Sequence, residues 1–284
     1  MGHNKMNEIP TRSLIEGMLR DDATIDGAAL YGVANTLGMT DQQVRLCIKR
    51  MVADGQFTVE GRGRKAVLYA TAHLRSTITP ELDYVRLMYA QDRGDAPWDG
   101  RWHLAAFAVP ESSRSSRDAL RDRIIRLGGA PLQGGLYVSP HAWEEKINAA
   151  ATEFGVAGHI TTLTTTNLSI AGTKVPRDIA LRLWPLDEVD KRHRMLLAFA
   201  EPALSALQHA SVTERTTIAI ALATEFNRAL DPDPLLPPEL LPQPWIGAGA
   251  RAAAAACWRE LLKSDAPQRM QLFQWYSDVI QEIT

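Results

Sequence analysis

Cysteine is almost absent from this chain: Cys47 and Cys257 are the only two among its 284 residues. Two cysteines cannot build the disulfide framework of a small secreted domain. No apolar run reaches the roughly 18 residues of a membrane-spanning helix, and the amino-terminal residues lack the apolar core of a signal peptide. These absences predict a protein of the reducing cytoplasm that has no membrane segment.

Motifs of common enzymes are also missing. The sequence has no P-loop, no dinucleotide-binding fingerprint and no nucleophile elbow. Its seven histidines show no metal-ligand spacing, and neither cysteine lies near another ligand type. We therefore expect no cofactor, no metal site and no catalytic residues. The composition, with 45% hydrophobic and 23% charged residues, is that of a folded chain, and the length predicts two or three domains.

Net charge is only −2, but the basic residues are unevenly distributed. Residues 42–75 contain seven basic and two acidic side chains, which gives this short segment a charge of +5. Such a concentration suggests a local docking surface for a polyanion. Considered on charge alone, a solvated charged face is the more common explanation.

The first seventy residues show the patterns of three helices and a hairpin. Apolar periodicity predicts helices from Thr11 to Arg20 and from Ile25 to Leu37. A third helix follows Thr40, which is a good N-cap with Gln43 at the capping-box position, and it runs to about Asp54. Two strands, 57–59 and 66–69, then flank a flexible basic turn at 61–64. This order predicts a winged helix-turn-helix.

The third predicted helix has one apolar and one polar face. Val44, Cys47, Ile48 and Met51 share the apolar face, as a helix anchored to its own core requires. Polar side chains on the other face and on the hairpin tip are suited to bases and phosphates. The predicted DNA-binding residues are Gln42, Gln43, Arg45, Lys49, Arg50, Arg62, Arg64 and Lys65. An alternative for Arg50 is that it supports the fold.

The rest of the chain predicts two further domains. After a helical connector at 73–97, strand and helix patterns alternate as β-α-β-β-α-β between 102 and 165, which predicts a ferredoxin-like domain. The last hundred residues carry helical periodicity at 186–208, 213–230, 249–263 and 268–283. A proline-rich segment, 231–245, interrupts them and should be extended and stiff. This segment is either a lid or a structural strap across the helices, and the pattern favours the strap.

The predicted fold class is therefore α+β multidomain. Its four segments are a winged helix-turn-helix (1–75), a helical linker (76–99), a ferredoxin-like domain (100–175) and an α-helical carboxy-terminal domain (176–284).

At this point the chain resembles the PaaX family of transcriptional repressors, named for the phenylacetic acid degradation operon. The resemblance rests on Val44-Arg45, Arg50-Met51, Asp54-Gly55 and Gly63-Arg64, on PWDGRW at 97–102, and above all on DPLLPPELLPQPWIGAGAR at 233–251. It implies a dimeric repressor of a catabolic operon whose central domain is similar to CRISPR adaptation nucleases. The effector it implies is phenylacetyl-coenzyme A, which releases the DNA.

The sequence departs from the family pattern at three places. Gln56-Phe57 stands where the family has a tryptophan, and 66–69 replaces an aromatic-rich run. Thr224-Glu225-Phe226-Asn227 occupies the place of a His-Glu-aromatic-Arg motif. If that histidine and arginine serve the effector pocket, this member senses a different aromatic catabolite, free or as a thioester.

Candidate effector residues are cationic and aromatic. Arg114, Arg117 and Arg121 share a helix face suited to coenzyme A phosphates, although Asp118 and Asp122 make intrahelical ion pairs the more ordinary explanation. Aromatic side chains suit an aryl group, although most large aromatics belong to a core. The remaining candidates are Trp184, Trp245 and Arg251.

Three functions follow from these patterns. The first is a ligand-responsive repressor, a homodimer that binds a palindromic operator and controls an aromatic-compound catabolic operon. The second is a metal-dependent nuclease built on the central domain, which needs a carboxylate at the end of the first strand. Only Glu111, beyond Pro110, is near that position. The third is an enzyme acting on acyl thioesters.

Overall fold

The computed structural model describes residues 9–74 and 82–263. Within these residues the strands are β1 (Thr24–Asp26), β2 (Phe57–Glu60), β3 (Val67–Ala70), β4 (Trp102–Phe107), β5 (Ala130–Gln133), β6 (Leu136–Ser139) and β7 (Ile160–Thr165). The helices are α1 (Thr11–Gly17), α2 (Gly27–Thr36), α3 (Asp41–Ala53), α4 (Leu82–Arg93), α5 (Arg114–Arg126), α6 (Glu144–Glu153), α7 (Pro176–Leu183), α8 (Leu186–Leu207), α9 (Val212–Leu230) and α10 (Gly247–Leu262). Arg75 and the helix predicted at 268–283 lie outside the described residues.

The chain divides into two compact units, each built from separated stretches of sequence. The first unit comprises Met1–Arg86, Arg192–Leu230 and Ile246–Thr284, and the second comprises Leu87–Lys191 and Asp231–Trp245. None of the helices in the described part of the chain is long and apolar enough to cross a membrane.

The amino-terminal part of the first unit contains α1 to α3 and a three-stranded antiparallel sheet in the order β1-β3-β2. Thr40 caps α3 as expected: its hydroxyl accepts from the amide of Gln43, whose side chain accepts from the amide of Thr40. Val44 and Met51 are buried beneath the helix. The prediction for α3 is confirmed.

The second helix begins later than expected. Thr24, Ile25 and Asp26 form β1, paired with β3, and Ile25 is fully buried. The helix starts only at Gly27, where the Asp26 carboxylate accepts from the amide of Ala29 at 2.8 Å. The prediction of a helix from Ile25 was wrong because the strand depends on a partner forty residues further along the chain, which periodicity does not reveal.

The helices of the first unit that come later in the chain cover its amino-terminal part. α9 packs against α1, α2 and α10, and Gly17 of α1 lies close to the side chain of Ile220. The guanidinium of Arg215 donates to the carbonyl oxygens of Leu207 at 2.7 Å and Glu260 at 3.1 Å, so it joins three helix ends. The apolar stripes of these helices therefore form one core with those of the first three.

The second unit has the predicted β-α-β-β-α-β order. Its sheet runs β5-β6-β4-β7 with every neighbouring pair antiparallel, which is the ferredoxin-like topology. Because side chains alternate along a strand, Ala105 and Phe107 face the core under α5 and α6, while Trp102 and Leu104 face the opposite side. The prediction of this fold is confirmed.

Residues 231–245, the proline-rich strap, cover that opposite side. Leu236, Leu240 and Leu241 are buried in one cluster with Trp102 and Trp184. Polar contacts anchor the strap at several points: Gln91 to Leu235 O at 3.0 Å, Trp98 N to Glu239 Oε1 at 3.2 Å, and His141 Nε2 to Pro234 O at 3.3 Å. The segment thus packs as a strap, but over the sheet and α7 of the second unit, where the sequence suggested a strap across the helices.

Acid is expected to destabilise the protein through two groups of the second unit. The pKa of His141 is lowered, because the effect of burial is larger than the opposing effect of the hydrogen bond to Pro234 O. Burial raises the pKa of Glu144, but the hydrogen bond to His103 at 2.7 Å and the backbone hydrogen bonds from the amides of Glu144 and Trp143 together outweigh it, so the net shift is downward. The unfolded chain therefore binds more protons than the folded one, first below pH about 6.5 and then below about 4.3.

The prediction is that the free energy of unfolding falls as the pH drops from 7 to 4, and that His141→Gln flattens the part between pH 7 and 5. Urea unfolding at each pH measures it. His159→Gln, at an exposed position, is the matched control. An unchanged pH dependence in His141→Gln would contradict the assignment to this imidazole.

Candidate nucleic-acid interface and effector residues

The predicted DNA-binding residues lie on α3 and on the β2–β3 hairpin of the first unit. All of them are exposed: Gln42, Gln43, Arg45, Lys49, Arg50, Arg62, Arg64 and Lys65. A cleft of about 120 Å³ separates the helix from the hairpin, and both Arg45 and Arg62 line it. Its apolar lining comes from Ile48, Val59 and Leu68. The structure thus brings basic side chains of the helix and the hairpin to the same place.

Gln43 and Arg45 also have structural partners at the start of α3. The amide of Gln43 is engaged in the capping box with Thr40. Arg45 donates through Nε to the carbonyl oxygen of Asp41 at 3.1 Å, which uses one of its N–H groups. Gln43 is therefore fixed at the helix end, whereas Arg45 keeps donors for a ligand.

Arg64 connects the hairpin to the beginning of α3. Its guanidinium is 3.7 Å from the carboxylate of Asp41 and 5.8 Å from the centre of the Tyr31 ring. Tyr31 is buried, and burial raises the pKa of its hydroxyl. The ring therefore supplies a rigid neutral support beneath the cation.

Gly27 fixes the hairpin against α2, and sequence reasoning did not identify it. Its amide donates to Ala66 O at 2.8 Å, and a Cβ there would lie 2.6 Å from the same oxygen and 2.9 Å from Gly63 O. Only glycine permits this approach without moving the backbone. No local signal marks the residue, because the requirement comes from a turn that is distant in sequence.

The candidate arginines of α5 have acidic neighbours. Arg117 lies 2.8 Å from Glu111 and 3.5 Å from Asp118, and Arg114 lies within 4 Å of the same two carboxylates. Arg121 is 3.3 Å from Asp122. These are the ion pairs that the ordinary explanation expects, and they also occupy Glu111, the one carboxylate considered for a nuclease.

The other effector candidates occupy different surroundings. Trp184 is buried in the second unit, stacked on Trp102 with ring centres 6.3 Å apart, and its Nε1–H donates to Gly128 O at 3.0 Å. Trp245 packs at the edge of the same cluster. Arg251 is buried in α10 of the first unit. Within the second unit, the arginines belong to the helix α5 that covers one face of the sheet, whereas the two tryptophans lie in the cluster on the opposite face.

The segment that departs from the expected His-Glu-aromatic-Arg motif lies in α9. Thr224 and Glu225 are buried, and the Thr224 hydroxyl donates to Ile220 O at 2.8 Å. Glu225 accepts from Arg228 at 2.5 Å. The Thr224 hydroxyl and the Glu225 carboxylate are thus engaged within their own helix. In residues 9–74 and 82–263, no group of three or more His, Cys, Asp or Glu side chains is placed to hold a metal ion.

The fold and this surface define a multidomain α+β protein with a basic helix and hairpin, a ferredoxin-like domain and a helical carboxy-terminal part. Family models place it more narrowly. Residues 95–179 match the PaaX protein central Cas2-like domain, and residues 184–270 match the PaaX-like protein C-terminal domain. The chain belongs to the PaaX family.

Relatives extend the similarity over most of the chain. It is 24% identical over 258 residues to the transcriptional repressor PaaX of Escherichia coli (strain K12), covering 87% of this chain and 79% of the relative. Among solved structures it is similar to the uncharacterized protein Rv0674 from Mycobacterium tuberculosis. That match has 24% identity and a TM-score of 0.50, and it covers 90% of this chain and 96% of the other. It supports the fold alone.

Proposed function

We propose that this protein is a DNA-binding transcriptional repressor whose α1–α3 and β1–β3 form a winged helix-turn-helix. The observation that carries the proposal is the cleft shared by Arg45 of α3 and Arg62 of the hairpin. A recognition helix and a wing must present cations to the same stretch of duplex, and this geometry meets that requirement. The relative from Escherichia coli is a transcriptional repressor.

Six of the eight residues divide into two DNA-contacting roles. Gln42, Arg45 and Lys49 of α3 contact base edges in the major groove, where an arginine pairs well with guanine. Arg62, Arg64 and Lys65 contact phosphates, which supply affinity and orientation rather than sequence information. Gln43 holds the end of the helix, and Arg50 adds charge at its side.

The repressor acts as a homodimer on a palindromic operator of a catabolic operon, so that two recognition helices bind two half-sites. Its effector is an aromatic catabolite, free or as a coenzyme A thioester, that binds one conformation better and shifts the population away from the DNA-bound form. A 100-fold change in occupancy requires about 2.7 kcal/mol of differential affinity. Thr224 and Asn227 favour an effector other than phenylacetyl-coenzyme A, with Arg114, Arg117, Arg121, Trp184, Trp245 and Arg251 as candidate contacts.

Binding to the DNA upstream of its own gene, at fixed salt and against random DNA of equal length, tests the proposal. If the protein prefers the upstream DNA and phenylacetyl-coenzyme A weakens that binding, the result supports both the repressor and a thioester effector. If the protein prefers the upstream DNA and the thioester leaves that binding unchanged, the result supports a repressor that responds to a different ligand. Equal affinity for both DNAs would refute sequence-specific DNA recognition.

Arg45→Ala should weaken specific binding by about 1–3 kcal/mol, because one bidentate contact to a base is lost. Its thermal unfolding should be unchanged, since the side chain is exposed. The matched control is Arg126→Ala on α5, which removes the same charge from another exposed position. If both variants retain full operator affinity, Arg45 does not contact the bases.

A further inference from the structure

Asp41 is an acidic residue in the middle of the basic surface. It occupies the first turn of α3, one helical turn before Arg45, and it faces Arg64 of the hairpin. A carboxylate at this position repels DNA phosphates, so a purely DNA-binding role for the surface does not explain it. Helix capping does not require it either, because the cap is Thr40 with Gln43.

The geometry of the Asp41–Arg64 pair suits a contact that is exchanged readily. The nearest nitrogen and oxygen are 3.7 Å apart, which is beyond hydrogen-bonding distance, and the two side chains are 54% and 41% exposed. An exposed pair of this kind contributes little stability. It nevertheless keeps the guanidinium above the Tyr31 ring, at 5.8 Å, and so restricts the positions that Arg64 samples.

The hairpin is rigid on its other side. Gly27 N–H donates to Ala66 O, and Gly61 has a φ of 81°, where a Cβ would lie 2.8 Å from Lys65 O. The backbone that carries Arg64 is therefore held against α2. A change of partner at Arg64 requires only side-chain rotation.

We infer that Asp41 takes the place of a DNA phosphate in the free protein: it positions Arg64 above Tyr31 and is displaced when a phosphate binds. This inference rests on the proposed function. Asp41 is a positioning residue that keeps the arginine ready and competes with DNA for it. The competition lowers affinity for any duplex, because a phosphate must displace Asp41 before it can bind Arg64.

A double-mutant cycle tests the competition. Asp41→Asn should raise affinity for duplex DNA by about two- to fivefold, as expected for release from an exposed ion pair. Arg64→Ala should lower affinity and reduce the slope of log K against log salt by about 0.9, because one phosphate contact is lost. In the Arg64→Ala background, Asp41→Asn should raise affinity by less, because only the general repulsion between its carboxylate and the phosphates is then removed.

The control separates competition from general repulsion. Asp54→Asn removes the same charge from the opposite end of α3, where the side chain is exposed. Its effect on affinity should be the same with and without Arg64. If Asp41→Asn also raises affinity equally in both backgrounds, or not at all, the competition is refuted. Failure of the wild-type chain to bind any duplex would instead refute the proposed function.

Discussion

Trp184→Ala should lower the free energy of unfolding by about 3–5 kcal/mol, the range typical of a buried tryptophan reduced to alanine. Three losses combine. The indole leaves a cavity among Trp102, Ile179 and Leu240, its stacking on Trp102 disappears, and Gly128 O loses the Nε1–H donor that lies 3.0 Å away. Urea unfolding followed by far-ultraviolet circular dichroism measures the change without relying on tryptophan emission.

Trp184→Phe is the matched variant. It keeps an aromatic ring against Trp102 but removes the donor to Gly128 O, so its cost should be smaller, at about 1–3 kcal/mol. The difference between the two variants gives the contribution of the ring itself. A loss below about 1 kcal/mol for Trp184→Ala would show that the cluster collapses into the space, contrary to the packing described for the second unit.

Gly128→Ala should cost about 3 kcal/mol or more, for two independent reasons. Gly128 has a φ of 82°, where a Cβ is strained by about 1–2 kcal/mol. That Cβ would also lie 2.6 Å from Pro234 O, which belongs to the proline-rich strap. Either the strap or the turn must move, and overpacking of this kind typically costs about 1–3 kcal/mol.

Gly155→Ala isolates the backbone effect. Gly155 has a φ of 70°, and a Cβ there would have nothing within 4 Å. Its substitution should cost only the left-handed conformation. The excess loss in Gly128→Ala, measured by urea unfolding of both variants, then reports the contact with the strap. Equal losses for the two glycines would mean that the strap yields at no cost.

Local signals made much of the fold predictable. The capping box at Thr40 and Gln43, and the left-handed Gly55 after α3, lie within a few residues of the boundaries they set. The alternation of strands and helices between 102 and 165 was equally clear, and it gave the ferredoxin-like topology.

Features that depend on distant partners were not predictable. β1 forms only because β3 pairs with it, and Gly27 is required only because Ala66 O lies beside it. The sequence suggested Arg64 as a phosphate contact but gave no sign of its pairing with Asp41. Periodicity likewise shows that a helix has an apolar stripe but does not identify the element that packs against it. The packing of α9 against α1 and α2 was therefore not predicted.

The packing of α9 against α1 has a consequence for how the protein is made. Leu14 and Ile15 of α1 are completely buried, and α1 meets α9 near Ile220, about two hundred positions later in translation. At ordinary ribosomal speeds the nascent amino-terminal segment waits on the order of tens of seconds for that partner. During this interval its apolar side chains are a substrate for chaperones. A messenger truncated before α9 should therefore yield an aggregation-prone fragment rather than a folded amino-terminal domain.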